Sequence, residues 1–276
     1  TANELNRVGG KIETLTKKAG ADFVKVSLSG EYTPEGGFSG KGEAELLAEW
    51  EVNSTKIGED TYSVWVVKGT GAVIDLAASE VTHIGGTVKG MIRDQPSASG
   101  NFIQVEAKAD YDFPGKNFSG SGSITVLKPK KLATFGGEEL WLAEGTGAQG
   151  SVAQNNLESV SGKLNLQLKD ATIGHWLTCE LSGGFDAKGG TGSSGKGSVT
   201  IHKDKQLAEL AGYKFVLAEG AGADAKIEQN KLTEVNGKVP FKVFDAQTAP
   251  LIEGKAEGHY YASTKKFSGT GDIRLG

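Results

Sequence analysis

Four histidines, one cysteine and scattered carboxylates are the residues of this chain best suited to chemistry near neutral pH. His83, His175, His202 and His259 could ligate a metal or carry a proton. No two of them lie at metal-ligand spacing in the sequence. His175 and Cys179 are four residues apart, which would place both on one face of a helix, but the segment that holds them alternates as a strand does. A cysteine nucleophile needs a base beside it, and the sequence names none for Cys179. Leu28, Ala107 and Ala256 occupy the equivalent place elsewhere in the chain, so Cys179 reads as a small buried apolar residue. Gly69-Thr70-Gly71 looks like phosphate-binding glycine, but such a cradle opens a helix, and here the glycines fall in strand pattern. The acidic residues Glu31, Asp110, Glu180 and Glu257 show no reproducible pairing for acid–base work. Catalytic, cofactor-binding and metal-binding residues are therefore expected to be none, and the chain is expected not to be an enzyme.

What these residues sit on is a repeat. Leu5-Asn6-Arg7-Val8-Gly9-Gly10-Lys11 recurs as Val81-Thr82-His83-Ile84-Gly85-Gly86-Thr87, and again around Gly162 and Gly237. The steps between the central glycines are 76, 76 and 75 residues. Each copy divides into four segments, a to d, with apolar residues or glycine at every second position. In segment b one face carries Val24, Val26, Leu28, Gly30 and Tyr32, then Ile103, Val105, Ala107, Ala109 and Tyr111 in the next copy. The third and fourth copies continue with Leu177, Cys179, Leu181, Gly183, Phe185 and with Ile252, Gly254, Ala256, Gly258, Tyr260. This period of two predicts antiparallel strands with one face buried and one wet. Segment c opens with Phe38-Ser39-Gly40, Phe118-Ser119-Gly120 or Phe267-Ser268-Gly269, while the third copy keeps only Gly195-Lys196-Gly197. Segment d begins Gly69-Thr70-Gly71, Gly145-Thr146-Gly147 or Gly220-Ala221-Gly222. In the c-to-d link, apolar residues three apart in Lys131–Phe135 and Gln206–Leu210 predict one helical turn. Pro34, Pro96, Pro114, Pro129 and Pro250 fall in predicted connections, whereas Pro240 interrupts a segment a and predicts a bulge or an edge there.

The expected fold is all-β: an extended antiparallel up-and-down meander of about 15 strands built from 76-residue repeats, rolled or folded over on itself. One continuous array over residues 1–276 is expected, with repeats near 1–78, 79–154 and 155–229 and a partial copy at 230–276. An odd number of antiparallel strands disfavours simple closure into a barrel. Glycines inside strands, 41 in all, need a reason. Aromatic rings near the b–c turn lying over them supply one, and a groove for an apolar ligand supplies another.

Net charge is −4 with both signs interspersed, so no basic stripe marks a nucleic-acid partner. No apolar run is long enough for a transmembrane helix, and no signal-peptide pattern opens the chain. Aromatic girdles are missing at the strand ends, which places an outer-membrane barrel behind the other readings. The chain opens and closes partway through a repeat, as an excised piece of a longer array would. The expected function is a non-enzymatic structural β-repeat segment (stalk, scaffold or shell) of a larger bacterial secreted, surface or delivery-machine protein such as a toxin or adhesin. Its expected partners are neighbouring repeats or domains, another protein, or a glycan, and its expected location is secreted or at the cell surface, with the cytoplasm also allowed. The alternative is a carrier holding a lipid or other hydrophobic ligand in a groove of the rolled sheet.

Overall fold

The computed structural model describes residues 6–57, 60–94, 100–187, 192–245 and 249–276. All regular structure among them is β, in one antiparallel sheet of 21 strands that does not close. Segments a form β1 (Val8–Lys18), β7 (Glu80–Arg93), β13 (Asn156–Asp170) and β19 (Lys231–Phe244). Segments b form β2 (Ala21–Thr33), β8 (Asn101–Asp112), β14 (Gly174–Asp186) and β20 (Pro250–Tyr261). Segments c form β3 (Gly37–Leu46), β9 (Asn117–Val126), β15 (Ser193–Ile201) and β21 (Lys266–Leu275), and segments d form β6 (Gly71–Ala77), β12 (Gly147–Ala153) and β18 (Gly222–Glu228). These are the expected 15 strands. The other six are three hairpins in the c-to-d links: β4 (Trp50–Ile57) with β5 (Asp60–Val66), β10 (Lys130–Phe135) with β11 (Glu138–Leu142), and β16 (Lys205–Leu210) with β17 (Tyr213–Leu217).

The helical turn expected in those links is therefore the first strand of a hairpin. A β-bulge explains the misleading spacing. Register shifts between Lys131 and Ala133, and between Gln206 and Ala208, insert one extra residue into the first strand of each hairpin. Past a bulge the alternation slips by one, so residues three apart share a face. Leu132 and Phe135 do so, and so do Leu207 and Leu210, all more than half exposed. Positive φ at Gly136 and Gly137, and at Ala211 and Gly212, closes the two hairpins in the manner of type I′ turns.

Each hairpin branches the sheet. Along β7, the residues Glu80–Thr87 pair with β6, while Gly90–Arg93 pair with β5. In β19, Lys231–Lys238 pair with β18 and Phe241–Phe244 with β17. A long a strand is thus shared between two shorter partners, with a gap of two residues between them. Pro240 lies in that gap. Its missing N–H faces no ladder partner, its carbonyl accepts from Ala218 N–H at 3.0 Å, and β19 pairs with β20 through Pro240 without a bulge. Pro240 therefore lies neither at a bulge nor on an edge strand but at the gap between two partners of a strand paired on both sides. Pro34, Pro114 and Pro129 lie in connections, Pro250 is the first residue of β20, where a proline is tolerated, and Pro96 lies outside the described residues.

The chain divides into two units, Thr1–Leu127 with Gln149–Ser159, and Lys128–Ala148 with Val160–Gly276. In both, the buried residues collect at the branches. The first unit buries Leu46, Phe102 and Val126. The second buries Ala143, Trp176, Ile201, Ala218, Ala221 and Val243, with Trp176, Ile201 and Ala221 packed together against Leu168, Ile173, Leu177 and Leu217. Away from the branches the apolar face is only partly sheltered: Leu28, Tyr32, Ile84 and Ile124 are each more than 40% exposed. The expected burial of one whole face is corrected accordingly. Within each unit the strands make their contacts chiefly with their ladder neighbours.

Candidate functional site

At each branch a glycine-led turn anchors the return into segment d. Thr70 N–H donates to the Val67 carbonyl across a turn whose third residue, Gly69, has φ +83°. That is the pattern of a type II turn, where a side chain would be strained. Gly145 and Gly220 repeat it with φ +77° and +80°. The first glycine of each Gly-Thr/Ala-Gly motif is thus a turn residue, not a strand residue, and no helix follows to make a phosphate cradle. The threonine has a structural task. Thr70 Oγ1 accepts from Lys89 N–H at 2.9 Å and donates to the Lys89 carbonyl. Thr146 serves Asn165 in the same way, accepting its N–H at 3.0 Å. In the third copy both partners change together: Ala221 replaces the threonine and Pro240, with no N–H, replaces the residue it served.

The b–c hairpins answer the question of the interior glycines. A Cβ placed at Gly30 would meet the Phe38 ring at 2.6 Å, and one at Gly40 would meet the same ring at 2.9 Å. Phe267 covers Gly258 and Gly269, and Phe118 lies against Gly120, while Phe241 lies over Gly254. Aromatic rings therefore lie over glycine, as expected. Gly42 differs, since it lies under Leu28 and Ile74, and Gly122 has only the Glu106 carbonyl within van der Waals range.

The third copy breaks the pattern. Gly183 pairs with Gly195 as Gly30 pairs with Gly40, but the residue in the place of Phe38 is Ser193. The equivalence rests on hydrogen bonds as well as on sequence. Phe38 N–H donates to Ser79 Oγ, Phe118 N–H to Asn155 Oδ1 and Ser193 N–H to Asn230 Oδ1, all at 2.9–3.0 Å. The turn residue's own N–H returns the bond to the carbonyl of Phe38, Phe118 or Ser193. With no ring supplied, a groove of about 880 Å³ lies over the glycines of β14 and β15, walled by Val160, Leu181, Phe185 and Ile227. All its lining residues belong to the second unit.

The residues suited to chemistry are dispersed. His83 sits between two carboxylates, Asp75 at 3.1 Å from Nδ1 and Asp110 at 3.4 Å from Nε2, on three successive strands. His175 and His202 approach to 4.9 Å between ring centroids, and both bond the Thr178 hydroxyl through Nε2. Desolvation, with His202 adding its charge, holds the His175 imidazole below the usual histidine range. The sequence did not reveal this pair, because a strand register and a turn bring the two together. His259 bonds Asn236 at 2.7 Å. Cys179 lies in β14 opposite Val199 and is half-buried, less sheltered than a core residue, and no base bonds it among the described residues. Glu31 pairs with Arg7, Glu180 with Lys163 and Glu257 with Lys255, so these three carboxylates belong to surface ion pairs. Among the described residues, no group of three His, Cys, Asp or Glu side chains could hold a metal ion, and no helix is long and apolar enough to cross a membrane.

The best-sheltered charges stitch elements together. Lys205, at the start of β16, bonds Glu138 of β11 and Asp170 at the end of β13, the latter at 2.5 Å, and lies over the Trp176 ring. Trp176 Nε1 donates to the other oxygen of Glu138 at 2.7 Å. Lys205, with the N–H groups of Thr172 and Ile173, holds the Asp170 carboxyl far below the usual range. In the first unit Arg93, almost wholly buried, bonds Glu49 and Asn101 at 2.7 Å each and stacks on Trp65. Both clusters tie a c-to-d hairpin or its approach to the neighbouring strands. No protein-family model and no curated protein sequence matches this chain.

Proposed function

We propose that this chain is a non-catalytic structural β-repeat segment, serving as a stalk, scaffold or shell within a secreted or surface protein. The observation that supports this best is the recurrence of one branch unit. Val67 N–H donates to Lys89, Ala143 N–H to Asn165 and Ala218 N–H to Pro240, at 2.9, 2.9 and 3.0 Å, and each branch is stabilised by its immediate neighbours. Units of this kind are copied to extend a surface. The four histidines and the cysteine each occupy a place that no other copy fills with the same residue, whereas the features repeated in several copies are turns, glycines and rings.

The test is to insert a second copy of residues 79–154 in register. A scaffold tolerates the insertion, keeps its strand signal per residue in circular dichroism, and gains radius of gyration in solution scattering. Loss of folding on insertion would count against it. The carrier reading has support at one place, the groove over Gly183 and Gly195, because rings of the chain itself occupy the equivalent place in the other copies. Mass spectrometry of the purified protein separates the two: copurifying lipid favours a carrier and its absence favours the scaffold.

A further inference from the structure

We propose that the floor formed by Gly183 and Gly195 is a binding site for a monocyclic aromatic molecule, seated where the other copies place a phenylalanine ring of their own. The chain itself displays the complement. Phe38 rests on the Gly30–Gly40 pair and Phe267 on the Gly258–Gly269 pair. A flat ring gains dispersion contact from such a floor because no Cβ holds it away from the peptide planes. At Gly183 the nearest atoms to a would-be Cβ are the Ser194 carbonyl oxygen at 3.0 Å and Gly195 Cα, and at Gly195 they are the Ser182 carbonyl oxygen at 2.8 Å and Gly183 Cα. No side chain of a described residue covers either glycine.

A second change accompanies the first. Tyr32, Tyr111 and Tyr260 flank the ring in the other copies, but Phe185 takes that place here, so the wall has lost its hydroxyl. Val160, Leu181, Phe185 and Ile227 remain 38–48% exposed around the floor. The groove, about 880 Å³, falls in the usual size range of small-molecule sites, roughly 300–1,000 Å³. This proposal stands on the hairpin geometry alone and survives or fails independently of the scaffold reading.

The experiment is a titration of the intact chain with p-cresol, read from backbone amide shifts. Saturable shifts are expected at Gly183 and Gly195, and not at Gly30 and Gly40, with a Kd on the order of 1 mM for so small a ligand. Ser193→Phe supplies the ring in cis and should weaken binding about tenfold or more. Phe38→Ser uncovers the first copy and should add saturable shifts at Gly30 and Gly40, which keeps the test decisive if Ser193→Phe does not fold. The proposal is overturned if no saturable shift appears at Gly183 and Gly195, or if Ser193→Phe folds and binds as before. It is equally overturned if Phe38→Ser gains no site, or if octanoate displaces p-cresol at lower concentration, which would assign the groove to an acyl chain.

Discussion

Removing the Thr146 hydroxyl should be harmful on its own and nearly harmless when Asn165 becomes proline. Asn165 is only 8% exposed, and its N–H sits in the gap between β11 and β12, with Thr146 Oγ1 as its acceptor at 3.0 Å. Thr146→Ala leaves that N–H buried without a partner, which costs about 1–3 kcal/mol. Asn165→Pro in the same chain deletes the donor. It also removes an amide oxygen, Asn165 Oδ1, that is buried without a partner. The third copy already carries this combination as Ala221 and Pro240, and there the Ala218 N–H still finds the Pro240 carbonyl at 3.0 Å. The double variant should therefore lie within about 1 kcal/mol of the parent, with a coupling of about 1 kcal/mol or more between the two sites. The readout is hydrogen exchange at the Ala143 amide, which donates to the Asn165 carbonyl at 2.9 Å and reports this branch directly. Protection should fall in Thr146→Ala and return in the double variant. Additive losses would refute the reasoning, since they would mean that Pro240 is tolerated for some reason other than its missing donor.

Two further outcomes follow from the packing and the charges. Gly30→Ala drives a Cβ to 2.6 Å from both the Phe38 ring and the Ser39 carbonyl oxygen, and should destabilise by about 1–3 kcal/mol; Gly122→Ala meets nothing closer than 3.7 Å and should be neutral or stabilising by up to about 1 kcal/mol. Equal unfolding midpoints for the two would contradict the ring-over-glycine account. The Asp170 carboxyl is depressed in the folded state, so its contribution is fully present above the unfolded carboxylate range and is lost as pH falls through the lower folded value. Acid titration of stability should thus show a shallower loss below about pH 4 in Asp170→Asn than in the parent, and identical acid limbs would remove Asp170 from the account.

The repeat, the 15 meander strands and the rings over glycine were legible because each follows from short-range alternation and a fixed period. The hairpins were not, because one bulge residue in each turns a period of two into an apparent period of three at Leu132 and Phe135. The role of Thr70 was hidden for a different reason. Gly-Thr-Gly reads as strand or as phosphate loop until the positive φ of Gly69 and the register of β7 are known. Long-range charge clusters had no local signature at all: Lys205 lies 67 residues from Glu138 and 35 from Asp170. The groove, by contrast, was written in the sequence as the missing phenylalanine of the third copy. Reading it required knowing that Ser193, and not a neighbour, occupies the ring's place.

Native-state hydrogen exchange across the whole chain tests the central claim that stability resides in repeated branch units of an open sheet. The highest protection is expected at the amides of Leu46, Val67, Ala143, Ile201 and Ala218, whose backbone bonds close the three branches. Protection should decline along the strands away from them and be lowest in β1 and β21, which are exposed throughout. Uniform protection across all strands, or a maximum midway along the b–c hairpins, would contradict the account and point to a single global core.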